Sequence, residues 1–79
     1  MEIKVLGSGC STCKKLFSTV EDAVKELGID AKVFKEEDLM KIMSYNILSL
    51  PALVIDEKVV AKGPRNLKEV KEIIRQNLR

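Results

Sequence analysis

The chain has 79 residues, 46% of them hydrophobic, which suits one domain spanning residues 1–79 with one modest core. Its 14 Lys and Arg nearly balance 12 Asp and Glu, and the signs are interspersed. No basic block is available to follow a phosphate backbone, so nucleic acid is excluded as an expected partner.

The apolar runs fall far short of the ~20 residues of a membrane span, and Met1 leads straight into a strand-like segment. A cytoplasmic protein without membrane contact is expected. Glu2 to Leu6 reads as a short strand carrying Ile3, Val5 and Leu6, and Gly7-Ser8-Gly9 supplies turn chemistry after it. From Ser11 to Leu27, the apolar residues Leu16, Phe17, Val20, Val24 and Leu27 recur at spacings of three and four, the mark of a helix with one buried face. Gly28 is its stop.

Ala31 to Phe34 reads as a second strand. Glu36, Glu37 and Asp38 then suit the positive end of a helix that carries Leu39, Ile42 and Met43 inward and fades near Tyr45-Asn46. Ala52 to Ile55 and Lys58 to Ala61 are strands joined by Asp56-Glu57, a gap that demands a hairpin, although no glycine marks the turn type. Gly63-Pro64 breaks the chain, Asn66 is a good N-cap, and Leu67, Val70, Ile73, Ile74 and Leu78 form the stripe of a last helix. Phe17, Phe34, Tyr45, Met40 and Met43 read as packing residues. The order β-α-β-α-β-β-α implies an α/β fold with one mixed four-stranded sheet and helices on both faces.

The chain has two cysteines, Cys10 and Cys13, and a bridge between them closes too small a loop to staple a fold. Stability must come from packing, which leaves the pair for chemistry. At the strand-to-helix junction, Cys10 falls near the helix N-terminus, where unpaired N–H groups and the helix dipole favour a thiolate and lower its pKa below the ~8.5 of a free thiol. Cys10 is thus the expected nucleophile. Cys13 shares its helix face and is the expected resolving thiol, attacking the mixed disulfide that Cys10 forms with a substrate. Two buried small hydrophobes would be the bland explanation, but a glycine loop leading into Cys-x-x-Cys at such a junction is a specific signal. Zinc wants four ligands and the chain lacks histidine, while a dinucleotide fingerprint fails because Thr12 stands where its third glycine belongs. No cofactor or resident metal is expected.

Gly-x-Gly-Cys-x-x-Cys after the first strand, with Ser49-Leu50-Pro51-Ala52-Leu53-Val54-Ile55 before the hairpin, resembles the thioredoxin/glutaredoxin superfamily. The resemblance is closest to its small archaeal and bacterial redox-active disulfide proteins and covers essentially the whole chain. It implies a minimal thioredoxin-like fold and thiol-disulfide exchange. It also implies a cis peptide before Pro51, with Leu50 pairing to an extended client and Gly63 beside the site at the turn before the last helix. Client contact is expected at Gly9, Ser11, Thr12, Leu50, Pro51 and Gly63. Disulfide-containing client proteins and an upstream disulfide reductase are the implied partners, and a monomer is expected.

The sequence also departs from that family. Gly9 and Ser11-Thr12 replace the tryptophan and Gly-Pro of longer thioredoxins, and Lys4 stands where those proteins bury a carboxylate. A charge in a central strand must be paired or must snorkel to solvent. Lys4 is therefore expected either as an ammonium favouring the thiolate or as a solvated amine at the sheet margin. Soft thiolates also suit a Cu(I) carrier, but the heavy-metal-associated domains run β-α-β-β-α-β and this chain ends in a helix. A binding module that merely keeps the fold would not need Cys10.

Overall fold

A computed structural model describes residues 1–7, 11–47 and 50–78. Seven elements follow in order: β1 (Glu2–Leu6), α1 (Ser11–Leu27), β2 (Lys32–Glu36), α2 (Leu39–Ser44), β3 (Ala52–Ile55), β4 (Lys58–Lys62) and α3 (Leu67–Gln76). The strands form one sheet in the order β2-β1-β3-β4. β1 runs parallel to β2 and antiparallel to β3, and β3 is antiparallel to β4. The β1-α1-β2 unit supplies the parallel crossover, and the short Asp56-Glu57 link enforces the hairpin.

Alternation along the strands splits the apolar residues between two layers. Ile3, Val5, Leu53, Ile55 and Ala61 face α1 and α3, which contribute Leu16, Val20, Ala23, Val70 and Ile74. Leu6, Ala52 and Val54 point the other way and pack with Ile42 and Ile47. β3 is buried along its whole length, which explains why Ala-Leu-Val-Ile is continuously apolar and does not alternate.

The helix ends follow from local chemistry. Gly28 takes a φ of 63° and its N–H reaches the carbonyls of Val24 and Lys25, closing α1 in the left-handed conformation that glycine adopts without a Cβ penalty. At α3, Asn66 Oδ1 accepts from the Glu69 N–H at 2.8 Å while Glu69 Oε1 accepts from the Asn66 N–H at 3.1 Å, a reciprocal capping box. Asp56 and Glu57 both have positive φ, 48° and 69°, so the hairpin uses a mirror-image turn without glycine.

Several sequence expectations need correction. β2 begins one residue later and ends two later than Ala31 to Phe34, because its ladder follows β1 to the pair Leu6 and Glu36. β4 continues to Lys62, and Val60 is an extra residue where the register shifts. In α2 only Ile42 is buried, while Leu39, Met40 and Met43 are exposed, because a helix of 6 residues offers the sheet a single row of contact. Phe34 is exposed too: it lies beside Lys4 on the face that this short helix covers incompletely. α3 ends at Gln76, leaving Leu78 outside the helix and exposed. Phe17 and Tyr45 do pack against the two layers, as expected.

Candidate functional site

α1 begins four residues after Gly7, and Cys13 is its third residue. Ser11 and Thr12 are exposed, whereas Cys13 is 5% exposed and disulfide-bonded. Gly9 and Cys10 lie outside the described residues.

Gly7 directly follows β1 and donates its N–H to the Glu36 carbonyl at 3.0 Å. A Cβ placed on it would come within 2.8 Å of the Cys13 Cβ and closer still to the Cys13 Sγ. Glycine is needed here for close approach, since its φ lies outside the left-handed range. Sequence reading assigns Gly7 only to a flexible turn; the one available signal is its place between a strand and a cysteine helix.

The peptide bond between Leu50 and Pro51 is cis, with Leu50 exposed and Pro51 buried. Gly63, at a φ of 82°, donates its N–H to the Pro51 carbonyl at 2.6 Å. Pro51 and Gly63 are therefore neighbours, although they are remote in sequence.

Lys4 belongs to neither expected setting. Its ammonium is 2.8 Å from Glu57 Oε1 and donates to the Tyr45 hydroxyl at 3.3 Å, and that hydroxyl donates to Glu57 Oε2 at 2.9 Å. The three groups form a closed triad between β1, the end of α2 and the hairpin turn. The Glu57 hydrogen bond, then that of Tyr45, raises the Lys4 pKa above the ordinary 10.5. Lys4 in turn, then Tyr45, holds the Glu57 carboxyl below its ordinary 4.5. The ammonium lies on the α2 face, because Lys4 alternates with Ile3 and Val5, which face α1. It is consequently a structural cation on the face opposite the cysteine helix.

Comparison with known proteins decides the family. A thioredoxin domain model matches residues 1–75. The chain is 35% identical over 75 residues to a thioredoxin of Methanothermobacter thermautotrophicus, covering 94% of this chain and 97% of that protein. The chain belongs to the thioredoxin domain family. A second thioredoxin, from Methanocaldococcus jannaschii, is 32% identical over 77 residues, covering 96% of this chain and 88% of that one. Thioredoxin 1 of Thermosipho africanus TCF52B superposes with a TM-score of 0.59 at 23% identity, covering 98% and 93% of the two chains, and shares the fold. The mixed four-stranded sheet expected from element order and the thioredoxin-like fold implied by the resemblance are both observed. No helix among the described residues is long and apolar enough to cross a membrane.

Proposed function

We propose that this thioredoxin-domain chain is a thiol-disulfide oxidoreductase that reduces or exchanges protein disulfides through Cys10 and Cys13. The observation that carries the reading is Cys13 itself, disulfide-bonded and buried in the first turn of α1 against Gly7. No carboxylate occupies the first turn of α1, so nothing acidic there opposes a thiolate at the helix N-terminus.

In the reducing direction, the Cys10 thiolate attacks one sulfur of the client disulfide. The client S–S bond breaks, its other sulfur leaves as a thiolate that takes up a proton, and a Cys10–client mixed disulfide forms. Cys13, deprotonated, then attacks the Cys10 sulfur. This expels the second client thiolate and closes the Cys10–Cys13 disulfide, so two electrons have passed to the client. A reductase upstream returns the dithiol by the same exchange in reverse. The Leu50 backbone pairs with an extended client, Pro51 and Gly63, bonded to each other, form the surface beneath it, and the exposed Ser11 and Thr12 present solvent-facing side chains beside it.

A redox titration of the cysteine pair against glutathione and thioredoxin buffers, read with insulin reduction, tests the reading. A reversible two-electron couple and turnover lost in Cys10→Ser are expected. Absence of a defined couple together with tight Cu(I) binding would replace the oxidoreductase with a metal carrier.

A further inference from the structure

Beside the cysteine helix, a groove of about 450 Å³ separates the first turns of α1 from the loop entering α3. Pro64 and Leu67, over the buried Leu16, give it an apolar lining, and Thr12, Lys15 and Arg65 line it as well. Two further polar atoms are already engaged. The Thr19 hydroxyl donates to the Lys15 carbonyl at 2.9 Å, and Asn66 Oδ1 is held by the α3 cap.

No acidic residue among those described lines the groove, and Glu69, in the first turn of α3, is bonded to the Asn66 N–H. Arg65 commits one Nη1 contact to the Pro64 carbonyl at 2.9 Å and keeps further donors. Lys15 is an exposed ammonium without an ion pair among the described residues. The groove is thus a two-cation site with an apolar lining in a chain whose formal net charge is only +2.

Its position ties it to the redox pair. Thr12, which lies between the two cysteines, belongs to its lining, and Pro64 and Arg65 directly follow Gly63, which is bonded to Pro51. The Gly63 that neighbours Pro51 thus leads directly into the groove lining, which puts the groove within reach of a client docked at Leu50. We infer that the groove selects disulfide clients carrying an acidic side chain near the reacting cysteine, with Lys15 and Arg65 receiving its carboxylate and Pro64 and Leu67 its apolar neighbours. This assignment rests on the oxidoreductase reading and gives it a substrate class.

The test uses the whole chain and three synthetic disulfide peptides of one length, with Glu, Ser or Lys flanking the cysteine. For the native protein, kcat/KM for the Glu peptide should exceed that for the Ser peptide about three- to tenfold at low salt and converge with it at high salt. The Lys peptide should fall below both. The double variant Lys15→Glu/Arg65→Glu should invert the order. Lys32→Glu/Lys58→Glu makes the same change in net charge at the far end of the sheet and should preserve it.

Equal kcat/KM for the three peptides, or equal loss of preference in both double variants, would overturn the inference while leaving the redox reading intact. The inference also fails if groove reversal slows glutathione disulfide and leaves the Glu peptide unaffected. Failure of the native protein to turn over any disulfide would overturn both readings together.

Discussion

Gly7 and Cys13 touch across the junction of β1 and α1 so closely that a Cβ on Gly7 has no place. Gly7→Ala should therefore crowd the sulfur while it is locked in a disulfide and less once Cys13 is a thiol able to rotate. Overpacking of this kind costs about 1 to 3 kcal/mol. If it falls mainly on the oxidised form, the midpoint of the couple rises by about 20 to 60 mV. Redox titration of the variant reads this directly; an unchanged midpoint with equal destabilisation of both forms would show that the contact is purely structural.

Lys4 makes a prediction about what should not change. Its ammonium is held by Glu57 and Tyr45 on the α2 face, so Lys4→Met should leave the thiol pKa of Cys10, followed by thiolate absorbance, where it is. The pH dependence of stability should change instead. The Glu57 carboxyl is depressed, so its contribution is present above the ordinary 4.5 and is lost as pH falls through the lower folded value. Lys4 is raised, so its contribution is full below 10.5 and lost as pH rises through the higher folded value. Urea melts across the acid limb should be steeper in pH for the native chain than for Lys4→Met, and parallel curves would sink the assignment.

The bond from Gly63 to Pro51 can be probed through backbone conformation. An added Cβ at Gly63 meets only the far end of Arg65, at 3.9 Å, but the φ of 82° is unfavourable for any L side chain. Gly63→Ala should lower stability by about 1 to 2 kcal/mol. If the loop moves to relieve the strain, kcat/KM for an extended peptide disulfide falls more than it does for a small disulfide reagent. Equal effects on both would separate Gly63 from client docking.

The capping box offers a purely structural control. Asn66→Ala removes the side-chain acceptor for the Glu69 N–H and should cost about 1 kcal/mol in chemical denaturation. The midpoint of the redox couple should stay put, since the cap is bonded within α3 and its approach; a shifted midpoint would tie the start of α3 to the cysteine pair.

How much of this was legible in the sequence depends on the range of the interactions involved. Element order, the Gly28 stop and the Asn66 cap are written locally, in apolar spacing and in hydrogen bonds spanning three or four residues, and all are present in the fold. What sequence reading missed depends on partners far along the chain. Lys4 meets Tyr45 and Glu57 only after β1 is inserted beside β3, so pairing across 41 and 53 residues had no local signature. Gly7 carries the same letter whether it serves a turn or a close approach, and the choice is made by Cys13. The exposed Leu39, Met40 and Met43 show the opposite error, in which apolar spacing promised burial that a helix of 6 residues cannot deliver. At the candidate site, motif and spacing pointed to Cys13, and the family resemblance to Pro51 and Gly63, whereas the groove joining α1 to the α3 loop requires the folded chain.

The two apolar layers are unequal, and that inequality grades the molecule mechanically. One layer is clamped by α1 and α3 together, while the other lies under α2 alone. Amide protons of α2 should exchange through a partial opening of low free energy, whereas those of β1, β3 and the middle of α1 should wait for global unfolding. Val20 and Ala23 belong to the slow-exchanging side, and Ile42 and Ile47 belong to the other. The protein thus resembles a vice with one fixed jaw and one compliant jaw, the short α2 lying on the side that yields first.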